Sequence, residues 1–277
     1  MQYINYNGNI YKEHEPVVPI SNRGFKYGDG FFESMVMFDK KVPLLDYHMS
    51  RAEFTAEVLS CKFPVGFEDD FLEGLILDLA AVNDAVQNAR VRLQFFRKGG
   101  GLYLPDSDEL GYCISMDAIE HTQFDIGKGL VVGMREDCYK PIAMNSDLKH
   151  TSAMEYIMAA QFARAEKWDE MILLNHYAQV CEALSSNVFI VKDDVLITPD
   201  LDSGCVNGVM RSYIIALMEG AVQERDIETA DLQNADEIIL TNAVRGVQWV
   251  KEFNGDIYGN KKAVELTALL NKNLLGR

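Results

Sequence analysis

Two periods of polar and apolar residues alternate along this chain, and the switches between them lay out its elements. Residues 3–6 and 10–12 flank Asn7-Gly8, a pair suited to the positive backbone angles of a tight hairpin. Residues 31–38 read as a strand ended by Asp39-Lys40-Lys41, with Val42-Pro43-Leu44-Leu45 returning from that turn. Asp46 is placed to cap a helix that runs to about Cys61 with Met49, Phe54, Val58 and Leu59 inward, and residues 68–83 predict a second helix. From 89 to 97, Val91, Leu93 and Phe95 alternate with Arg90, Arg92 and Gln94, the period of a strand buried on one face. Lys98-Gly99-Gly100-Gly101 reads as a loop, and residues 112–116 as another strand.

Residues 120–129 look like a connection, after which the pattern resumes with a strand over 130–135. Ser152 followed three positions later by Glu155 has the form of a capping box, predicting a helix over 153–167. A short apolar strand over 171–174, the turn Asn175-His176-Tyr177-Ala178 and a second strand into 180–189 follow. Residues 188–191 and 195–198 form a hairpin across Asp193-Asp194. Asn207 is a good cap for a helix over 208–219, residues 237–241 read as a buried strand, and 261–275 as a closing amphipathic helix. The expectation is therefore an α+β chain with a small N-terminal domain (1–119), a connection (120–129) and a larger C-terminal domain (130–277).

Composition narrows the function. The 277 residues are 48% apolar and 25% charged, ordinary globular values that give ample core-forming material. The net charge of −16, with no basic run to offset it, argues against nucleic acid and anionic membranes as partners. An anion site on such a chain has to be built locally, from arginines and helix ends. Cys61, Cys113, Cys138, Cys181 and Cys205 are scattered, which reads as free thiols in a reducing cytoplasm, and neither they nor the five histidines have metal-ligand spacing. The first five residues are neither basic nor apolar, so no signal peptide is expected. No apolar run approaches membrane-spanning length.

Candidate chemistry lies in ordered islands: Arg23-Gly24-Phe25-Lys26-Tyr27-Gly28-Asp29-Gly30-Phe31-Phe32-Glu33-Ser34, then His48-Met49-Ser50-Arg51, then Lys149-His150 before the predicted helix. Val180-Cys181-Glu182, Ser185-Ser186-Asn187-Val188-Phe189 and Gly204-Cys205-Val206-Asn207-Gly208-Val209-Met210-Arg211 complete the set. Together they resemble the class IV (fold-type IV) pyridoxal-phosphate enzymes: branched-chain aminotransferases, D-amino-acid aminotransferases and aminodeoxychorismate lyases. The resemblance implies a two-domain fold of the D-amino-acid aminotransferase kind, with pyridoxal 5′-phosphate in the cleft between the domains and a homodimer. It makes Lys149 the Schiff-base lysine and the base for the substrate's α-proton, and Glu182 the partner of the pyridine nitrogen. Arg51, the amides of Val209 and Met210 after Gly208, and Asn242 fall to the phosphate side, Val206 lies beneath the ring, and Ser186 and Asn187 join the cofactor-binding set. Gly28-Asp29-Gly30 lacks the spacing of a nucleotide loop and reads instead as a tight turn into the Phe32 strand, where Ser34 offers a hydroxyl for proton relay.

Within the family, Met154 stands where branched-chain aminotransferases carry a tyrosine, and Gly204 to Arg211 and Phe32-Glu33-Ser34 look lyase-like. The best match is thus a 4-amino-4-deoxychorismate lyase, which eliminates pyruvate to give 4-aminobenzoate, with a D-amino-acid or branched-chain aminotransferase as the alternative and a non-catalytic ligand-binding homologue as a remote one. Against the lyase pattern, Leu102 replaces an arginine in Gly100-Gly101-Leu102-Tyr103, so Phe32, Arg97, Tyr103 and Arg245 become the substrate-side candidates.

Overall fold

The structure, a computed structural model, describes residues 2–84 and 86–277. It is α+β, and the chain divides into two compact units: residues 1–122 with 149–152, and residues 123–148 with 153–277.

The first unit contains β1 (Tyr3–Tyr6), β2 (Asn9–Lys12), α1 (Arg23–Tyr27), β3 (Gly30–Met37), α2 (Leu45–Val58), α3 (Asp69–Val82), β4 (Ala89–Arg97) and β5 (Leu110–Ala118). The strands form one sheet in the order β2-β1-β5-β4-β3. The β1–β2 hairpin turns on Asn7 (φ 50°) and Gly8 (φ 87°), the left-handed pair its sequence predicts. Met35, Leu93 and Ile114 on one sheet face pack beneath Met49 and Ala52 of α2 and Leu72 and Ile76 of α3. The predicted inward face of α2 is rotated from the observed one. His48, Met49, Ala52, Thr55 and Ala56 are buried, whereas Phe54 and Val58 are each 46% exposed. Asp46 lies in the first turn rather than at the cap, because Leu44, in the left-handed region at φ 61°, starts the helix.

β3 is an edge strand of that sheet, and residues 149–152 run along it. Phe32 N donates to Lys149 O (3.0 Å), Thr151 N donates to Gly30 O (3.0 Å), and Phe31 bridges His150 in antiparallel register. Lys149, expected in the C-terminal domain, therefore belongs to the first unit. The backbone of β3 fixes its place.

The second unit contains β6 (Leu130–Tyr139), α4 (Met154–Glu166), β7 (Glu170–Leu174), β8 (Val180–Ala183), β9 (Asn187–Lys192), β10 (Val195–Thr198), α5 (Val209–Leu217), β11 (Val222–Glu224), α6 (Thr229–Gln233), β12 (Glu237–Asn242), β13 (Gly246–Phe253), β14 (Asp256–Ile257) and α7 (Lys261–Leu270). Its sheet is mixed, in the order β11-β10-β9-β12-β13-β6-β7-β8, with β14 paired to β13. β13 was not legible in the pattern, because a register shift between Val250 and Glu252 breaks its alternation.

Two predicted caps fail. Ala153, not Ser152, caps α4 and no side chain bonds there; the Ser152 hydroxyl instead lies where a side chain at Gly28 would collide with it, at 2.7 Å. Gly208, not Asn207, caps α5, and Asn207 Oδ1 accepts from Ser212 Oγ (2.9 Å). No helix among the described residues is long and apolar enough to cross a membrane.

Candidate active site

Strand alternation sorts the first unit's residues. Glu33 points to the core face under α2, while Phe32 and Ser34 share the other face, where Ser34 pairs in register with Arg92. The Phe32 ring carries two cations: Lys149 Nζ lies 4.8 Å from its centroid and the Arg92 guanidinium carbon 3.8 Å. Arg92 bonds to Gln94 Oε1 (3.2 and 3.0 Å), and among the described residues no carboxylate pairs with it. Burial, then the Arg90 charge, pushes its pKa below the usual arginine range, as expected of a cation without a counter-charge. Sequence reasoning had seen Arg92 only as the polar half of an alternation. The missing signal was its lack of an acid.

Arg51 does not stand alone. Its Nε donates to Glu33 Oε1 (2.9 Å), its Nη2 donates to Glu33 Oε2, and His48 Nδ1 meets that same oxygen at 2.6 Å. Burial would raise the Glu33 carboxyl, but the Arg51 charge and the His48 hydrogen bond outweigh it and hold it at about 2. His48 is pushed down, first by burial and further by the Arg51 and Lys149 charges, so its imidazole is neutral at pH 7. With Nδ1–H given to Glu33, Nε2 is left a buried acceptor without a partner. Arg51 is thus aimed by a buried carboxylate.

Three further substrate-side candidates have surroundings of their own. Arg97 is buried and committed to the fold: Nε donates to Asp29 (3.3 and 3.2 Å), Nη1 to Asp108 and Ser60 O (3.3 Å each), and Nη2 to Leu59 O (2.7 Å). Four of its five N–H groups are engaged within the fold, which leaves one Nη2 N–H for any other partner. Tyr103 is 91% exposed on a loop whose carbonyls, Gly100 O (2.8 Å) and Leu102 O (2.7 Å), are held by Arg23 Nη1. Arg245 is exposed in the second unit, with its backbone amide on Asn242 Oδ1 (2.8 Å).

In the second unit Glu182, on β8, is 3% exposed and receives donors from three separate segments. Lys140 Nζ (2.5 Å) and Tyr156 OH (2.5 Å) both donate to Oε1, and Val206 N (3.0 Å) donates to Oε2. Tyr156 is driven up by burial and by the Glu182 charge, so it remains a phenol and a donor. Nearby backbone is fixed by Asn187 Nδ2 donating to Val206 O (2.8 Å), and Asn242 Nδ2 donates to Ser186 Oγ (3.1 Å). α5 begins at Gly208 with no side-chain cap, and a Cβ at Gly208 would meet Asn187 Oδ1 at 1.8 Å. The amides of Val209 and Met210 are left for an anion. An uncapped helix start, a buried carboxylate with a lone pair to spare and a lysine on an aromatic face match the needs of pyridoxal phosphate.

Comparison with known proteins agrees. The Amino-transferase class IV family matches residues 30–253. A putative branched-chain-amino-acid aminotransferase of Methanocaldococcus jannaschii is 29% identical over 96% of this chain and 93% of its own length. A D-alanine aminotransferase of Listeria monocytogenes is 26% identical (96% and 92%), and an aminodeoxychorismate lyase of Vibrio harveyi 25% (83% and 85%). Among solved structures, a branched-chain aminotransferase from Thermoproteus uzoniensis superposes with a TM-score of 0.87 at 21% identity, covering 99% of this chain and 95% of that one. The chain belongs to the class IV aminotransferase family of pyridoxal-phosphate-dependent enzymes.

Proposed function

We propose that this protein acts on an amino-acid-like substrate bearing a carboxylate, and that its reaction is that of a 4-amino-4-deoxychorismate lyase, releasing pyruvate and 4-aminobenzoate. The observation that carries the reading is the Phe32–Ser34 face of β3, which combines a lysine, an arginine without a counter-charge and a hydroxyl. When bound, pyridoxal phosphate supplies an electron sink conjugated to the substrate's α-carbon. Lys149 would hold that group, and its free amine would be the base for the substrate's α-proton. Glu182 would partner the ring nitrogen and Val206 the ring, Arg51, Asn242 and the amides after Gly208 would hold the phosphate, and Ser186 and Asn187 would complete the cofactor's surroundings. Arg92 receives the substrate's carboxylate, the part left open by Leu102, and Ser34 passes a proton toward the leaving pyruvate.

Transamination is the second reading, favoured by the greater similarity to aminotransferases in both identity and superposition. The two part only after the α-proton is removed, so product analysis decides between them. Incubation of the cofactor-loaded protein with aminodeoxychorismate should give pyruvate and 4-aminobenzoate in equal amounts. Absence of both, with keto-acid formation from L-glutamate, L-leucine or D-alanine, would establish the aminotransferase instead. We also propose a homodimer, to be read as twice the chain mass by light scattering.

A further inference from the structure

The counter-ion of Glu182 has no part in the reading above, although it is buried beside the residue assigned to the ring nitrogen. Lys140 directly follows β6 with its side chain 6% exposed; its ammonium donates to Glu182 Oε1 (2.5 Å) and to Ser146 O (3.0 Å) and lies 5.6 Å from the Tyr156 ring centroid. Tyr156 OH fills the other lone-pair direction of Oε1 at 2.5 Å. Oε2 holds only the Val206 amide, at 3.0 Å. A carboxylate offers about four acceptor directions. Three are taken, and the fourth lies on Oε2.

We infer that Lys140 and Tyr156 are positioning residues that fix which oxygen of Glu182 meets the cofactor's ring nitrogen and draw off part of the carboxylate's charge, so that the ring proton is held less tightly than a solitary buried carboxylate would hold it. The inference rests on the pyridoxal-phosphate reading and on Glu182 as the ring partner. Its physical basis is competition. A lysine cation on one oxygen repels a pyridinium proton on the other across a few ångströms of protein, and at an effective dielectric constant of about 20 that repulsion exceeds the free energy of one pH unit. Tyr156 acts in the same sense but more weakly, as a neutral donor. A lysine kept only to neutralise a buried acid would need neither the phenol nor the asymmetry between the two oxygens.

The test is the 15N chemical shift of ring-labelled pyridoxal phosphate bound to the protein, followed against pH, which reports protonation of the ring nitrogen directly. In Lys140→Met, which keeps the volume and removes the charge, the ring should retain its proton to a pH higher than wild type by about one unit or more. Lys140→Arg should restore the wild-type midpoint, and Tyr156→Phe should move it upward by a smaller step. Should Lys140→Met fail to fold, Tyr156→Phe decides by itself. An unchanged or lowered midpoint in the folded variants would overturn the inference, leaving Lys140 a structural cation. If wild-type protein shows no bound ring resonance, the cofactor reading itself falls and takes this inference with it.

Discussion

Glu33 and Glu182 are both buried carboxylates with three donors apiece, yet the origin of those donors differs. All three on Glu33 come from two side chains of α2, so the carboxylate fastens one helix to the sheet and presets Arg51. Those on Glu182 come from the end of β6, from α4 and from the loop before α5, and one oxygen is less occupied than the other. Convergence of separate segments on a partly open polar atom marks a ligand site, whereas closure within one helix–strand pair marks a structural joint. The arginines repeat the lesson. Arg97 is held by Asp29, Asp108 and two carbonyls, while Arg92, five residues away on the same strand, has no acid partner among the described residues.

Substitutions should separate the two kinds of centre. Glu182→Gln is expected to lower kcat on the order of a thousandfold while cofactor remains bound through its phosphate; steady-state kinetics beside a cofactor-binding titration would check this. Glu33→Gln should instead lower folding stability by about 3 kcal/mol or more in chemical denaturation, because it leaves Arg51 buried without its counter-charge. Arg92→Ala should raise KM for a carboxylate-bearing substrate about tenfold or more with a smaller change in kcat. Loss of folding rather than of KM is the expected result for Arg97→Met.

A smaller effect concerns pH. His48 and Glu33 both have folded pKa values below their unfolded ones, so each contributes stability that is present at higher pH and lost on acidification. The melting temperature should begin to fall below about pH 6.5 as unfolded His48 takes up a proton, and continue to fall through the carboxylate range toward pH 2. His48→Gln should flatten the upper part of that decline and leave the lower part in place.

Much of this contrast could be read from the residues. Strand alternation separated Glu33 from Phe32 and Ser34, and the Asn7-Gly8 and Asp193-Asp194 turns framed their hairpins correctly. The ordered islands placed the family, and the family likeness singled out Lys149 and Glu182 as candidates. What escaped depends on contacts between distant segments. Lys140 lies 42 positions from Glu182, and no local period could have paired them. Arg92 and Arg97 look alike in sequence, and only the acids that surround one of them tell them apart. The caps at Ser152 and Asn207 also escaped: Ser152 lies against Gly28, from a distant segment, and Asn207 Oδ1 accepts from Ser212 a turn later.

Lys149, half-buried, is the residue on which the whole assignment turns, and the buried Lys140 is the lysine that could compete for that role. Borohydride reduction of the pyridoxal-phosphate-loaded protein, followed by peptide mass analysis, tests the choice directly. The account predicts a reduced cofactor fixed to the peptide containing Lys149 and none in Lys149→Ala. A label on Lys140, or one that survives Lys149→Ala, would contradict it.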